Sequence, residues 1–163
     1  MVNHNQQDIS QDLLIEEIEA FGQDEGPLGY RVKTKKDEIE LILHGEISCC
    51  EKIEATSYPL DLAQYEGEEL LGWKVLQQDK LKDKVEGDED FLPLKVLKKL
   101  GLNWAHNDDR GAAYQDWIIL KLTTSTKKVI KEVVYLAVSN THNGYYSHKV
   151  NVNHKTPVLT TYI

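Results

Sequence analysis

The sequence predicts an α+β domain, a mainly antiparallel, meander-like sheet with an N-terminal helix and one further helix packed on it. Three observations lead there. Apolar residues recur at helical spacing over residues 8–22, they switch to a period of two from Gly29 onward, and the pair Asn143-Gly144, a strong hairpin signal, precedes the last alternating run. A chain of 163 residues with no internal repeat and no Pro/Gly/Ser-rich linker reads as one domain, 1–163. Its sheet core is expected at about 29–77 and 113–152, around a polar insertion at about 78–115.

The first helix is expected over residues 8–22, where Ile9, Leu13, Leu14, Ile18 and Phe21 mark one apolar face. Asp8 with Gln11 resembles a capping box, and Gly22 suits the C-terminal stop. Arg31 to Thr34 and Ile39 to Leu43 then form a hairpin turned at "KKDE", followed by a third strand across "EISCCEKIEA". A further strand runs from Trp73 to Gln77. The stretch "QDKLKDKVEGDED" has no apolar periodicity and reads as a surface loop. "LPLKVLKKLG" gives the second helix, with Pro93 in its first turn, Leu94, Leu97 and Leu100 spaced by three, and Gly101 at its end. Two strands rich in β-branched and aromatic residues, "WIILKL" and "VIKEVVYLAV", precede a closing strand from about Tyr145 to Val152. That gives about five to seven strands, a usual sheet size.

Hydrophobic content of 40% with 28% charged residues is that of an ordinary globular protein, and no apolar run of about 18 residues is present to form a membrane-spanning helix. The opening "MVNHNQQDISQD" lacks the basic flank and apolar centre of a secretory signal, so a cytoplasmic location is expected. A net charge of −8 argues against general nucleic-acid binding, which needs Lys and Arg to displace phosphate counterions. It favours cations or a basic protein surface as partners.

Within "EISCCEKIEA", strand alternation puts Ile47, Cys49, Glu51 and Ile53 on one side and Cys50 on the other. The thiols point apart, which disfavours a disulfide between them. Glu51 falls on the inward side and needs a partner, a cation or a proton. Zinc is disfavoured, because Cys49, Cys50, His44, His142, His148 and His154 lack paired-ligand spacing. A thiol hydrolase built on Cys49 or Cys50 with a histidine ranks third among the functions, since no established catalytic motif accompanies it.

Oxygen-rich clusters are more informative. "EGDEDF" carries Glu86, Asp88 and Asp90, and "HNDDRG" carries Asp108 and Asp109. Hard cations such as Ca2+ take several oxygen ligands from loops of this kind, although neither loop has the EF-hand pattern. The leading expectation is a non-enzymatic protein that binds a divalent cation, Ca2+, through Asp88, Asp90, Asp108 and Asp109, with Glu86 or Glu51 added. The alternative is an acidic interaction module, inhibitor-like or immunity-like, that docks on a basic partner with Tyr145, Tyr146 and Trp104 as aromatic anchors. Neither expectation includes nucleic acid or a membrane.

The stretches "SCCEKIEA", "ELLGWKVL" and "SNTHNGYYSHKVNV" together resemble an uncharacterised family of small bacterial and phage domains. That family carries a Cys-Cys-Glu strand, a Leu-Ile-Gly turn and a C-terminal Ser-Asn-Gly-Tyr-Tyr-Ser hairpin. This chain departs from it by the extra Thr141, His142 and Asn143 in the hairpin turn and by a long insertion from Gln78 through Gln115. The resemblance implies a compact α+β domain and no particular activity. A looser resemblance, in size, acidity and non-EF acidic loops, is to small cyanobacterial calcium-sequestering proteins.

Overall fold

A computed structural model describes residues 12–22, 27–45, 52–104, 114–126, 130–142 and 147–163. Among them, nine strands form two sheets, and every strand pairing is antiparallel. The five-stranded sheet has the order β1-β2-β3-β8-β9, built from β1 (Ile15–Phe21), β2 (Leu28–Thr34), β3 (Glu38–Leu43), β8 (Lys149–His154) and β9 (Thr156–Tyr162). The four-stranded sheet has the order β4-β7-β6-β5, built from β4 (Lys52–Tyr58), β5 (Glu69–Gln77), β6 (Tyr114–Ser125) and β7 (Lys131–His142). This corrects the expected α+β fold with one meander-like sheet. The molecule is a mostly-β sandwich.

The physical reason lies in β6 and β7. Ile118, Leu120 and Leu122 point to one side of the sheet while Trp117 and Ile119 point to the other, and all five are buried. Such strands need cover on both faces. One face meets the five-stranded sheet through Val32, Ile39, Leu41, Leu43, Val150 and Val152. The other face meets α1 (Gln78–Leu81), α2 (Leu94–Leu100) and their flanks through Leu81, Leu92, Val96, Leu97, Leu100 and Leu102. The stretch read as a surface loop therefore includes a buried anchor, Leu81, and the second helix lies where expected. Burial of each large aliphatic side chain stabilises by about 1.5–3 kcal/mol, so these residues decide the layering.

The expected N-terminal helix over 8–22 is overturned. Its described part contains β1, where Ile15 and Ile18 share the inward face although they stand three apart. A register irregularity between Ile15 and Glu17 adds one residue and converts the two-residue period into an apparent helical spacing. Residues 8–11 lie outside the described residues.

Glutamines fasten the helical layer. The chain leaves β5 at Gln77, opposite Ile118. The Gln78 side chain then continues the ladder in place of backbone, donating from Nε2 to the Gln115 carbonyl at 3.1 Å and accepting on Oε1 from the Trp117 N–H at 3.2 Å. Gln115 in turn donates to the Gly101 carbonyl at 3.0 Å and accepts from the Asn103 N–H at 2.8 Å. At the end of α2, Gly101 has φ 72°, and the Leu102 N–H reaches back to the Leu97 carbonyl at 2.8 Å. This left-handed stop is the one its glycine predicts. The Thr56 hydroxyl donates to the Leu100 carbonyl at 2.9 Å and ties the helix to β4.

The outer face of the five-stranded sheet is polar. Arg31 lies between Glu19 on β1 and Glu40 on β3, reaches Glu38 at 2.8 Å and Glu40 at 3.0 Å, and stacks over Phe21 at 5.3 Å. No helix among the described residues is long and apolar enough to cross a membrane.

Candidate functional site

The acidic residues expected to hold a cation take separate tasks. Asp88 closes a turn, its carboxylate accepting from the Val85 N–H at 2.9 Å and its own N–H donating to the Val85 carbonyl at 3.0 Å. Asp90 is held by the Lys74 ammonium on β5. That hydrogen bond from Lys74 outweighs partial burial and lowers the Asp90 carboxyl below its usual value. Glu86, between Val85 and Asp88, is exposed. Asp108, Asp109 and Glu51 lie outside the described residues, as do Cys49, Cys50, Tyr145 and Tyr146. Among the described residues no three or more His, Cys, Asp or Glu side chains gather to hold a metal ion.

Of the four histidines considered as ligands, His44 and His148 adjoin where β3 and β8 meet, the His44 N–H donating to the Lys149 carbonyl at 2.8 Å, while His142 and His154 each have a different carboxylate neighbour. His142 meets the Asp116 carboxylate at 2.7 Å in the interior end of the four-stranded sheet. His148 lies against the backbone of Gly45, where an added Cβ would fall 1.8 Å from the imidazole. His154 contacts Asp37 at 3.3 Å and meets the Trp73 ring edge-on at 5.4 Å. Trp104, an expected exposed anchor, is half-buried against Trp117 at a ring separation of 5.2 Å.

A different region collects charge without neutralising it. The connection from β4 to β5 carries Leu60, Asp61, Glu66, Glu68 and Glu69 around a 3-10 turn at Ala63–Tyr65. Its position is fixed from below by Tyr65, which is buried in the sandwich core, and by backbone bonds that join Ile15 to Glu68 at 2.8 Å and Gly67 to Ile15 at 2.8 Å. Glu68 accepts from the buried Thr124 hydroxyl at 2.9 Å. Burial pushes the Tyr65 hydroxyl up to about 12, helped by Glu132, Glu68, Tyr58 and Asp61 around it. Glu132 of β7 lies opposite Thr124 in the β6–β7 register, and Thr124 is the residue that donates to Glu68.

None of Asp61, Glu66, Glu69 and Glu132 forms an ion pair with a described residue. Leu60 projects from the same connection and is 85% exposed, more than any other large apolar residue described. The turn between β6 and β7 adds exposed Ile130, and Val133 follows on β7. An exposed apolar side chain beside unpaired carboxylates is what a docking surface for a cationic, partly apolar partner requires. The sequence held a signal for it in "YPLDLAQYEGEEL", an apolar Pro-Leu pair followed by four acids, but that stretch reads locally as no more than a polar turn.

No family model, curated protein or solved structure matches the chain.

Proposed function

We propose that the protein is an interaction domain that docks a basic partner on the β4–β5 connection. The observation that carries this reading is that one connection, from β4 to the start of β5, bears Leu60, 85% exposed, together with Asp61, Glu66 and Glu69, whose carboxylates no described cation pairs. Leu60 supplies an apolar anchor, and the surrounding acids speed the encounter with a cationic surface and fix its orientation. The loop at 85–90 supports a cation site less well, because one of its carboxylates closes a turn and another is held by Lys74.

The test is affinity capture with the full chain, followed by reconstitution with the identified partner. A cationic partner should bind the wild type with an affinity that falls as salt rises. Leu60→Ser and the double change Glu66→Lys with Glu69→Lys should each weaken it by about tenfold or more. A partner that binds the charge-reversed chain equally well would end the proposal. In a parallel melt, millimolar Ca2+ should leave Tm unchanged, whereas a rise would favour an ion site through ligand linkage.

A further inference from the structure

A recess of about 430 Å³ lies between the β2–β3 turn and the β8–β9 turn, lined by Lys33, Lys35, Lys36, Asp37, Asn153 and Lys155 together with Glu38 and Glu40. Its walls are held in place. The Thr34 N–H donates to the Asp37 carbonyl at 2.8 Å, and the Asp37 N–H donates to the Thr34 hydroxyl at 2.9 Å. Lys155 adopts the left-handed φ of 64° that closes the opposite turn.

Every carboxylate of the recess is already engaged within the protein. Glu38 and Glu40 are bound by Arg31, while Asp37 meets Lys155 and His154, each at 3.3 Å. Lys33, Lys35 and Lys36 form no ion pair with a described residue. A chain of net charge −8 thus presents here a concave spot where uncommitted ammonium groups outnumber uncommitted carboxylates, and unlike the recess on α2 lined by Leu94, Lys95, Lys98 and Lys99 it is walled by two hydrogen-bonded turns. An ammonium is a compact charge with three N–H donors, suited to anions with many oxygens. The volume falls within the roughly 300–1,000 Å³ typical of small-molecule sites and exceeds what one phosphate group fills.

We propose that this recess binds a small anion bearing a di- or triphosphate group, with Lys33, Lys35 and Lys36 as its cationic contacts. The site is separate from the docking surface proposed above and does not depend on it. Pyrophosphate and ATP distinguish a free oligophosphate from a nucleotide, and both carry the same chemistry to the lysines.

The experiment titrates the full chain at low ionic strength with pyrophosphate, ATP and a short single-stranded oligonucleotide, read by calorimetry and by backbone amide shifts. Pyrophosphate or ATP should bind and move the amides of Lys35 to Glu38, Asn153 and Lys155. The double change Lys35→Glu with Lys36→Glu should weaken binding by about tenfold or more, a difference calorimetry resolves. The same charge change made away from the recess, Lys80→Glu with Lys131→Glu, should leave affinity within about twofold if contact rather than overall charge decides it. A melt of each variant verifies folding. Equal weakening by the two double variants, no binding by the wild type, or tighter binding of the oligonucleotide than of either small anion would each overturn the proposal.

Discussion

The two sheets solve the same burial problem differently. The four-stranded sheet is covered on both faces, by its partner sheet and by the helical layer, so β6 and β7 carry apolar residues almost without interruption. Among the described residues the five-stranded sheet is covered on one face only, and its strands alternate core residues such as Val32, Ile39 and Leu41 with Arg31, Glu38 and Glu40. The difference teaches that the first sheet draws its stability from packing in two directions, whereas the second spends half its side chains on the solvent and on charge.

The sharpest way to break this contrast is a pair of truncations. Leu120→Ala removes a side chain of 0% exposure between the sheets and should destabilise by about 2–5 kcal/mol in urea unfolding, as cavity-forming core changes do. Ile42→Ala, on the wet face of β3, should cost less than about 1 kcal/mol. A similar cost for both would mean that the outer face of the five-stranded sheet is also packed against something. A middle-sized effect belongs to the seam between sheet and helices. Gln78→Ala leaves the Gln115 carbonyl and the Trp117 N–H without their partner and should cost about 1–3 kcal/mol, with faster amide exchange at Trp117.

Smaller effects are expected on the wet face itself. Arg31→Met removes pairing to Glu19, Glu38 and Glu40 but keeps a long apolar stem, so the loss should be about 0.2–1 kcal/mol and should shrink in high salt. Least of all is the acid response of Asp37. Burial raises its carboxyl, yet hydrogen bonds with His154 and Lys155 outweigh it and leave the folded value lowered. The stabilisation it provides is therefore present above the unfolded value near about 3.9 and is lost as pH falls through the lower folded value. Urea unfolding of Asp37→Asn at a series of pH values should show a flatter acid limb than the wild type. An unchanged limb would show that Asp37 takes no part in it.

How much of this was legible follows from the same contrast. In β2 and β3 the alternation, the turn at Lys35 to Asp37 and the strand pairing could be read from local pattern, because one face is wet. The second helix was legible from Pro93, its leucine spacing and Gly101. β1 was not, since its irregularity sets Ile15 and Ile18 three apart and its glutamates and alanine favour helix locally. β9 was hidden too. Pro157 argues against a strand, yet at the sheet edge the missing N–H is tolerated.

The division into two sheets rests on partners far apart in sequence. β4 pairs with β7 and β3 with β8, and no local period encodes that choice. The candidate surface was obscure for a related reason. Acidic residues in a loop look alike until the fold shows which ones are consumed internally. Asp88 and Asp90 are engaged in this way, while Asp61, Glu66 and Glu69 are not. Lys35 and Lys36 likewise read as ordinary turn residues until Arg31 and Lys155 are seen to occupy the neighbouring carboxylates.

The Gln78 amide has one more consequence, for chemical ageing. Deamidation would replace its NH2 by a carboxylate oxygen facing the Gln115 carbonyl, turning an attraction into a repulsion at a buried position. Old molecules would then loosen first where the helices lie on the sheet, while the sandwich beneath kept its strands in register.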